Sequence, residues 1–306
     1  MKILITGGAG YIGQSLITKL FEHVPNIDEI LIYDNLSQTN YNLFFDKNFK
    51  DKPVRLIHGE LLDSRKLKDS IKGIDVVYHL AARVTTPFSD LDSHYFEQVN
   101  HWGTAELVNA VEESGVKHFI NLSSVSIYGN IEEYIEETTV PNPVSFYGIS
   151  KLRAERHVHR LMGKKEKVHI IRAGNVYGYN SSMRMDAVIN RFMFESNFKN
   201  RISIHGNGEQ KRAFIHVEKL AETMARLITE NVPNDVYNIA EHNFSVNDLS
   251  DSLKVFYPSL ETLYINQHIR MVEIKVKTPN KIADFIQYQP KDFLEELKEF
   301  KEHFAF

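Results

Sequence analysis

The sequence predicts an α/β fold, in which a doubly wound parallel sheet is followed by a smaller mixed C-terminal region. Short apolar runs recur through the first half of the chain, helical patterns separate them, and the segments become shorter after about residue 175. Near-continuous apolar runs of this length are typical of parallel strands that are covered on both faces. Strands and helices that alternate in this way build a doubly wound sheet.

Six strands are predicted in the first half of the chain. They are 2–6, 29–33, 54–58, 75–80, 117–122 and 168–173. Helical patterns run over 11–21, 96–114 and 145–161, and a surface helix is predicted at 291–304. Turn signals at 206–210 and 230–235 mark the less regular part of the chain. We therefore divide the chain into a sheet domain over 1–175 and a smaller region over 176–306.

Length and composition exclude several classes of protein. The 306 residues suffice for one large domain or two modest ones. A net charge of −4 argues against a general nucleic-acid binder, which usually has a basic excess. The absence of cysteine excludes disulfides, thiolate catalysis and cysteine-based metal sites. The N-terminus reaches glycine too early for a signal peptide, and no run of 18 apolar residues occurs, so we expect a cytoplasmic protein.

A glycine-rich segment, TGGAGYIG at 6–13, lies between the first predicted strand and the first predicted helix. Its glycines satisfy both G-x-G-x-x-G and G-x-x-G-x-x-G. Glycines allow a tight turn and the close approach of a pyrophosphate, which the N–H groups of the following helix can bind. In this context the motif predicts a Rossmann-type dinucleotide site. The residues of the turn assigned to the cofactor are Gly7, Gly10, Tyr11, Ile12 and Gly13.

An aspartate follows the second predicted strand, 21 residues after Gly13. A carboxylate at this position binds the adenosine ribose hydroxyls of a dinucleotide. Asp34 would repel a 2′-phosphate, and no arginine follows immediately. The sequence therefore predicts NAD rather than NADP, with Asp34 and Asn35 in the cofactor site and 1–175 as the NAD-binding domain.

Further motifs follow the glycine turn in a fixed order over most of the chain. They are GELLD at 59–63, HLAA at 79–82, Asn100 with GT at 103–104, SSVSIYG at 123–129, YGISK at 147–151, RAGNVYG at 172–178 and RAFIHV at 212–217. This series resembles the extended short-chain dehydrogenases/reductases, specifically the NAD-dependent epimerase/dehydratase family acting on nucleotide sugars. The resemblance implies further cofactor contacts at Glu60, Leu61, Leu80, Ala81, Ala82 and Asn100. Glu60 stands where the family usually has aspartate.

The resemblance also places Ser124, Tyr147 and Lys151 together beside the nicotinamide. Oxidation of a sugar alcohol requires a base for the hydroxyl proton, and tyrosine, with a pKa near 10, is a poor base at neutral pH. A nearby lysine cation lowers that pKa, and a spacing of i, i+4 puts both side chains on one helix face. We expect Lys151 also to hold the nicotinamide ribose, and Ser124 to bind the reacting oxygen of the substrate.

The residues that follow Ser124 narrow the reaction that the resemblance implies. The 4,6-dehydratases of the family carry an Asp-Glu pair after their catalytic threonine, whereas this chain has Val125 and Ser126. Decarboxylating relatives use a glutamate at the position of Ser126, and epimerisation beside a ketone uses a cysteine–histidine pair. We predict a 4-epimerase that works through a transient 4-keto sugar. A net 4-dehydrogenase or ketoreductase remains open, as does a non-catalytic NAD-binding regulatory protein.

The region over 176–306 is predicted to bind the substrate. The segment 206–217 resembles the one that holds the nucleotide diphosphate in the family. We assign Arg212 to a phosphate, because guanidinium pairs well with phosphate oxygens, and Arg270 to a second phosphate contact. Asn175 and Ser124 complete the substrate contacts. The 14 histidines lack metal-ligand spacing, so no metal is predicted, and the resemblance implies a homodimer built on 96–114 and 145–161.

Overall fold

The computed structural model describes residues 1–38, 41–84, 93–266, 272–287 and 291–306. The strands are β1 (Lys2–Thr6), β2 (Glu29–Asp34), β3 (Val54–His58), β4 (Val76–His79), β5 (His118–Ser124), β6 (Tyr134–Ile135), β7 (Lys167–Ala173), β8 (Asn175–Tyr177), β9 (Arg201–His205), β10 (Lys211–His216), β11 (Asp235–Ile239), β12 (His242–Ser245), β13 (Glu261–Ile265) and β14 (Lys275–Val276). The helices are α1 (Tyr11–His23), α2 (Ser64–Ile71), α3 (Ser93–Phe96), α4 (Gly103–Glu112), α5 (Phe146–Val158), α6 (Val188–Lys199), α7 (Val217–Arg226), α8 (Val246–Lys254) and α9 (Phe293–Glu302).

A seven-stranded parallel sheet with the order β11-β7-β5-β4-β1-β2-β3 forms the centre of the molecule. The six strands predicted from the sequence are all present in it. The seventh strand, β11, comes from the part of the chain assigned mainly to substrate binding. From β1 the chain extends the sheet in one direction to β3 and then crosses back to β4. This reversal creates a crevice between β1 and β4 at the carboxyl ends of the strands, where α/β proteins bind ligands.

Helices cover both faces of the sheet, which explains why its central strands β1, β2 and β4 are mainly apolar and buried. On one face, α1 and α7 pack on a core that includes Ile5, Ile32 and Tyr78. On the other face, α2, α4 and α5 pack on a core that includes Leu4 and Phe119. The sheet is therefore shielded from water on both sides, as expected for parallel strands.

The long helical pattern over 96–114 is present but interrupted. α3 runs into a π-helix at Glu97–Trp102, which continues as α4. π-helical turns are rare and occur often at functional sites. The second long pattern, 145–161, forms α5 and a 3₁₀ turn at His159–Leu161. α5 begins at a proper cap, because the Ser145 hydroxyl accepts a hydrogen bond from the N–H of Gly148.

The smaller region lies beside the carboxyl ends of the main strands. It contains a three-stranded sheet, β12-β10-β8, and the strand pairs β13-β9 and β14-β6. α6, α8 and α9 share a separate apolar core that includes Phe192, Leu249 and Leu297. The predicted surface helix is α9, which buries one face and exposes the other. No helix in the described ranges is long and apolar enough to cross a membrane.

Candidate active site

The glycine turn closes tightly on the neighbouring segment after β4. Gly7 has φ +72°, and a Cβ on it would lie 2.6 Å from the Cα of Ala81. A Cβ on Gly13 would lie 2.5 Å from the carbonyl oxygen of Gly8. α1 begins after Gly10 and has no side-chain cap, so its first N–H groups remain available to an anion. A side chain would fill this cradle, and the cradle therefore fits the pyrophosphate of a dinucleotide.

Asp34 lies at the carboxyl end of β2, beside the glycine turn. Its carboxylate accepts hydrogen bonds from the N–H of Ala9 at 3.1 Å and of Leu36 at 2.8 Å. Burial raises the pKa of Asp34, and these backbone N–H groups oppose the rise. Two backbone N–H groups thus hold the carboxylate at the carboxyl end of β2, beside the glycine turn.

Glu60 and Asn35 interact directly at the predicted adenine end of the crevice. The amide nitrogen of Asn35 lies 3.1 Å from both carboxylate oxygens of Glu60. The Tyr33 hydroxyl donates to the carbonyl of Glu60 at 2.8 Å. Leu61 is buried against α4, where a Cβ on Gly103 would lie 2.9 Å from its Cδ1. Glu60 is one methylene longer than aspartate, and its carboxylate reaches the amide of Asn35.

Asn100 organises the segment that contains Leu80, Ala81 and Ala82. It is 1% exposed and lies in the π-helix. Its Oδ1 accepts from the N–H of Arg83 at 2.7 Å, and its Nδ2 donates to the Arg83 carbonyl at 2.9 Å and to the Ser150 hydroxyl at 3.0 Å. Asn100 therefore links this segment to α5 through hydrogen bonds of its side-chain amide.

Ser124, Tyr147 and Lys151 are brought together where β5 ends against α5. The Ser124 hydroxyl donates to the Ser126 hydroxyl at 3.0 Å, and its interaction with Tyr147 opposes the rise in the pKa of that phenol. The Lys151 ammonium donates to the carbonyl of Leu122 at 2.5 Å. Burial lowers the pKa of Lys151 to about 8, and the charge of Glu155 opposes this change.

The pKa of Tyr147 is raised above that of free tyrosine, whereas the motif predicts that Lys151 lowers it. Burial is the main cause, and the hydrogen bond with Ser124 and the charge of Arg184 act in the opposite direction. Arg184 pairs with Asp186 through Nε at 3.0 Å and Nη2 at 2.5 Å. Arg184 was not predicted from the sequence, because it lies in an irregular segment outside the motifs. Only the fold brings its charge near enough to act on Tyr147.

Arg212 and Asn175 lie on neighbouring strands, β10 and β8. The half-buried guanidinium of Arg212 has neither a hydrogen bond nor an ion pair with another described residue, and burial lowers its pKa despite the nearby charge of Glu273. The exposed Asn175 donates to the carbonyl of Ala213 at 3.0 Å. Arg270, the predicted second phosphate contact, lies outside the described residues.

One group of possible metal ligands exists in the described part of the chain. Single ligand atoms of Glu241, His242 and Glu296 lie within 4.8 Å of one another. The ammonium of Lys219 lies 2.9 Å from Glu296 and pairs with Glu241 as well. The ammonium of Lys219 already pairs with both carboxylates, so we assign no metal to them.

The parallel sheet and its glycine turn define a Rossmann-type dinucleotide-binding protein. Residues 3–240 match the model of the NAD dependent epimerase/dehydratase family. The chain belongs to this family, whose members act on nucleotide sugars, and NAD is its cofactor.

Relatives with different reactions resemble the chain to similar degrees. It is 32% identical to dTDP-D-glucose 4,6-dehydratase of Mus musculus over 246 residues, 78% of this chain and 67% of the relative. It is 30% identical to a putative UDP-glucose 4-epimerase of Methanocaldococcus jannaschii over 261 residues, 82% of this chain and 81% of the relative. The structure of MoeE5 with UDP-glucose and NAD matches with a TM-score of 0.83 and 26% identity, over 99% and 98% of the two chains.

A further solved structure shares the fold of this chain. UDP-glucuronic acid 4-epimerase from Bacillus cereus, in complex with UDP-glucuronic acid and NAD, matches with a TM-score of 0.86. The match covers 99% of this chain and 98% of the other at 24% identity, which is evidence for the fold alone. Epimerases and dehydratases are thus both among the similar proteins, and the choice between them depends on the residues of the site.

Proposed function

We propose that the protein is an NAD-dependent nucleotide-sugar 4-epimerase, which inverts C4 of a sugar such as that of UDP-glucose through a transient 4-keto sugar. The observation that carries the proposal is the combination of Ser124, Tyr147 and Lys151 with an adjoining strand end that lacks carboxylates. These three residues are the ones that we assign to oxidation and reduction at C4, and Val125 and Ser126 offer no carboxylate for the loss of water.

The two positions after Ser124 favour epimerisation over dehydration. Val125 is an apolar side chain with 2% exposure, so it can neither donate nor accept a proton. Ser126 offers a hydroxyl that is engaged with Ser124. The charge that acts on Tyr147 is the cation of Arg184 rather than a carboxylate. Loss of water across C5 and C6 needs a base and an acid beside those atoms, and neither position supplies one.

The chain's own residues have distinct tasks in the proposed reaction. Bound NAD supplies the chemistry of accepting a hydride and giving it back. Tyr147 takes the proton of the C4 hydroxyl as a phenolate during oxidation and, as the phenol so formed, returns a proton to the C4 oxygen during reduction. Ser124, which acts on the phenol of Tyr147, holds the reacting oxygen in line. The cation of Arg184 favours the ionised form of the phenol. Lys151, one turn further along the same helix face, keeps its positive charge and holds the nicotinamide ribose.

The surroundings of the Arg212 side chain are evidence for an anionic substrate. Removing a guanidinium from water without a hydrogen-bonding partner is costly, so a half-buried arginine of this kind suits an anion. A diphosphate satisfies the fork of the guanidinium through paired hydrogen bonds. We assign Arg212 to the diphosphate and Asn175, on the adjoining strand, to the substrate as well.

The proposed dimer is supported by exposed aromatic side chains on the two long helical segments. Tyr95 is 47%, Trp102 55% and Phe146 45% exposed. Exposed aromatic side chains at this density are typical of interfaces. Light scattering on the wild type and on Trp102→Glu tests the proposal: a dimer that the substitution dissociates supports it, and a monomeric wild type contradicts it.

The function is tested by incubating the protein with hexoses linked to UDP, GDP, dTDP and CDP and reading the products by NMR. We expect the C4 epimer of at least one substrate, with no steady growth of NADH absorbance. Growth of NADH would instead identify a 4-dehydrogenase. A 4-keto-6-deoxy product would identify a dehydratase and overturn the proposal.

A further inference from the structure

A buried carboxylate lies on the same face of α5 as the proposed catalytic residues. Tyr147, Lys151 and Glu155 are spaced i, i+4 and i+8, which aligns them along one side of the helix. Glu155 is 1% exposed. A carboxylate is rarely buried to this degree unless it is paired, so its partners define its task.

Glu155 joins α5 to the two strands beneath it. Its Oε1 accepts a hydrogen bond from the Ser123 hydroxyl on β5 at 2.5 Å. Its two oxygens also accept from Arg172 on β7, with Nε to Oε1 at 3.1 Å and Nη2 to Oε2 at 2.7 Å. Ser123 and Arg172 are register partners in the sheet. The carboxylate thus fastens the helix to both strands at one level.

Arg172 is itself held in place. It is 5% exposed, and its Nη1 donates to the Tyr128 hydroxyl at 2.7 Å. That hydroxyl donates to Oδ1 of Asn238 on β11 at 2.9 Å. The counterion of Glu155 is therefore fixed by the segment after Ser124 and by the next strand, and it has little freedom to follow a displaced helix.

Ser123 lies between two residues of β5 that contribute to the site, Leu122 and Ser124. The carbonyl of the preceding residue, Leu122, accepts the hydrogen bond from the Lys151 ammonium. The following residue, Ser124, carries the hydroxyl that acts on the pKa of Tyr147. Any shift of Ser123 would move both atoms, because they lie on the adjoining residues of the same strand. The contact between Glu155 and Ser123 therefore sets the distance between β5 and the catalytic face of α5.

We propose that Glu155, with Arg172 as its fixed counterion, is a positioning residue that holds Ser124 and Lys151 in register with Tyr147 and keeps a negative charge next to Lys151. The inference deepens the proposed function, since it rests on the roles given there to Ser124, Tyr147 and Lys151. Glu155 acts through these residues and touches neither substrate nor cofactor.

The charge of Glu155 matters because Lys151 is buried. The ionisable groups that face this cluster are His79 from β4, Arg172 from β7, and Tyr147 and Glu155 from α5 itself. Burial keeps His79 uncharged near neutral pH by lowering its pKa to about 3. Glu155 is thus the anion that opposes loss of the proton from Lys151.

Four variants separate positioning from a merely structural role. Glu155→Gln removes the charge and keeps the size, and Glu155→Asp keeps the charge and shortens the reach. The double variant Glu155→Leu/Arg172→Met removes both charges. Replacing both members of a buried ion pair with apolar residues often leaves the stability of a protein unchanged or raises it. Glu241→Gln is the matched control, because it weakens another buried ion pair, with Lys219, outside this network. The measurements are thermal unfolding, NAD binding, and kcat and KM over pH on the substrate found in the sugar panel.

We expect Glu155→Gln to lower kcat at least tenfold with KM changed less than threefold. Its alkaline limb of activity should begin about one pH unit lower, because Lys151 loses an opposite charge. The double variant should recover thermal stability relative to Glu155→Gln and keep the low kcat, and Glu155→Asp should recover part of kcat.

Two results would overturn the proposal. One is recovery of both kcat and thermal stability in the double variant, which would show a merely structural pair. The other is an unchanged alkaline limb of activity in Glu155→Gln. Glu241→Gln should change unfolding and leave the pH profile as in the wild type, and a shift there as large as that of Glu155→Gln would also overturn it.

A titration of Lys151 tests the proposal even if no sugar of the panel is turned over, in which case the proposed function alone fails. The Cε resonance of Lys151 in ¹³C-lysine-labelled protein, identified with Lys151→Arg, reports its protonation. We expect it to titrate about one unit lower in Glu155→Gln than in the wild type. An identical titration in both proteins would contradict the inference.

Discussion

Tyr147 illustrates how a single residue acquires a role from its surroundings. Tyrosine and lysine at i, i+4 occur on many helix faces without consequence. In this protein Ser124 and the charge of Arg184 both act to lower the pKa of the phenol, against the effect of burial. The motif order allowed Ser124 and Lys151 to be predicted. Arg184 could not be, because nothing in its local sequence distinguishes it from other arginines.

Tyr147→Phe removes the proposed acid–base hydroxyl and leaves the ring in place. We expect turnover to fall by about 10²–10⁴-fold, the range of general acid–base catalysis, with NAD binding retained. Turnover of the purified variant and NAD titration check this. Tyr134→Phe is the matched control, since Tyr134 is 57% exposed on the short strand β6. Near-normal turnover in Tyr147→Phe would remove the tyrosine from the mechanism.

Arg212→Gln tests the assignment of the diphosphate. Hydrogen bonds to charged groups contribute about 1.5–3 kcal/mol, so KM should rise about tenfold to a hundredfold while kcat changes less. The control is Arg201→Gln, because Arg201 is an exposed residue in a surface ion pair with Glu261. Steady-state kinetics on both variants separate the outcomes. An equal and small effect in the two would assign Arg212 to the surface.

At the scale of elements, most of the sheet could be predicted, because continuous apolar runs have one simple interpretation in an α/β chain. The structure adds β11, whose sequence DVYNI lies among irregular segments and joins the sheet only through pairing with β7. The π-helix at Glu97–Trp102 was not predictable, since helical periodicity alone does not show an inserted residue. The link from Glu155 to Arg172 requires two elements to meet, which no local pattern reveals.

The glycine turn gives a prediction for the element that holds the pyrophosphate. Gly7 and Gly73 have nearly identical φ values, +72° and +73°, but a Cβ would strike the backbone of Ala81 only at Gly7, and nothing lies within 4 Å at Gly73. Gly73→Ala should therefore cost about 1–2 kcal/mol from its backbone conformation alone. Gly7→Ala should cost more and abolish NAD binding.

Urea unfolding and NAD titration of both variants check this prediction. Because the backbone strain is matched, the difference between the two variants reports the close approach at the turn. Normal NAD binding in Gly7→Ala would show that the crevice between β1 and β4 does not hold the pyrophosphate.

At the scale of the whole molecule, buried neutral histidines link stability to pH. Burial lowers the pKa of His79 to about 3, of His118 to about 2 and of His169 to about 4. In the unfolded chain they titrate near 6.5, so below that pH the unfolded state binds more protons. Their contribution to stability is complete above pH 6.5 and is lost as pH falls. Each histidine adds up to about 1.4 kcal/mol per pH unit to the slope of the free energy of unfolding against pH.

Urea unfolding at several pH values between 7.5 and 4.5 measures this slope. In the fold, His118 and His169 are hydrogen-bonded to each other at 2.8 Å, so they can be replaced together. We expect His118→Leu/His169→Leu to flatten the decline in the free energy of unfolding between pH 6.5 and 5. An unchanged slope would show that other groups cause the acid sensitivity.

The whole account depends on which atoms of the sugar react. The relatives include both dehydratases and a putative epimerase. We base the choice between them on Val125 and Ser126, which directly follow β5 and carry no carboxylate. The most direct measurement is NMR of the substrate found in the sugar panel, incubated with the protein and NAD in D₂O. The account predicts inversion at C4 with no deuterium at C5, because only the C4 hydrogen moves and it returns as hydride. Deuterium at C5, or a 4-keto-6-deoxy product, would contradict it.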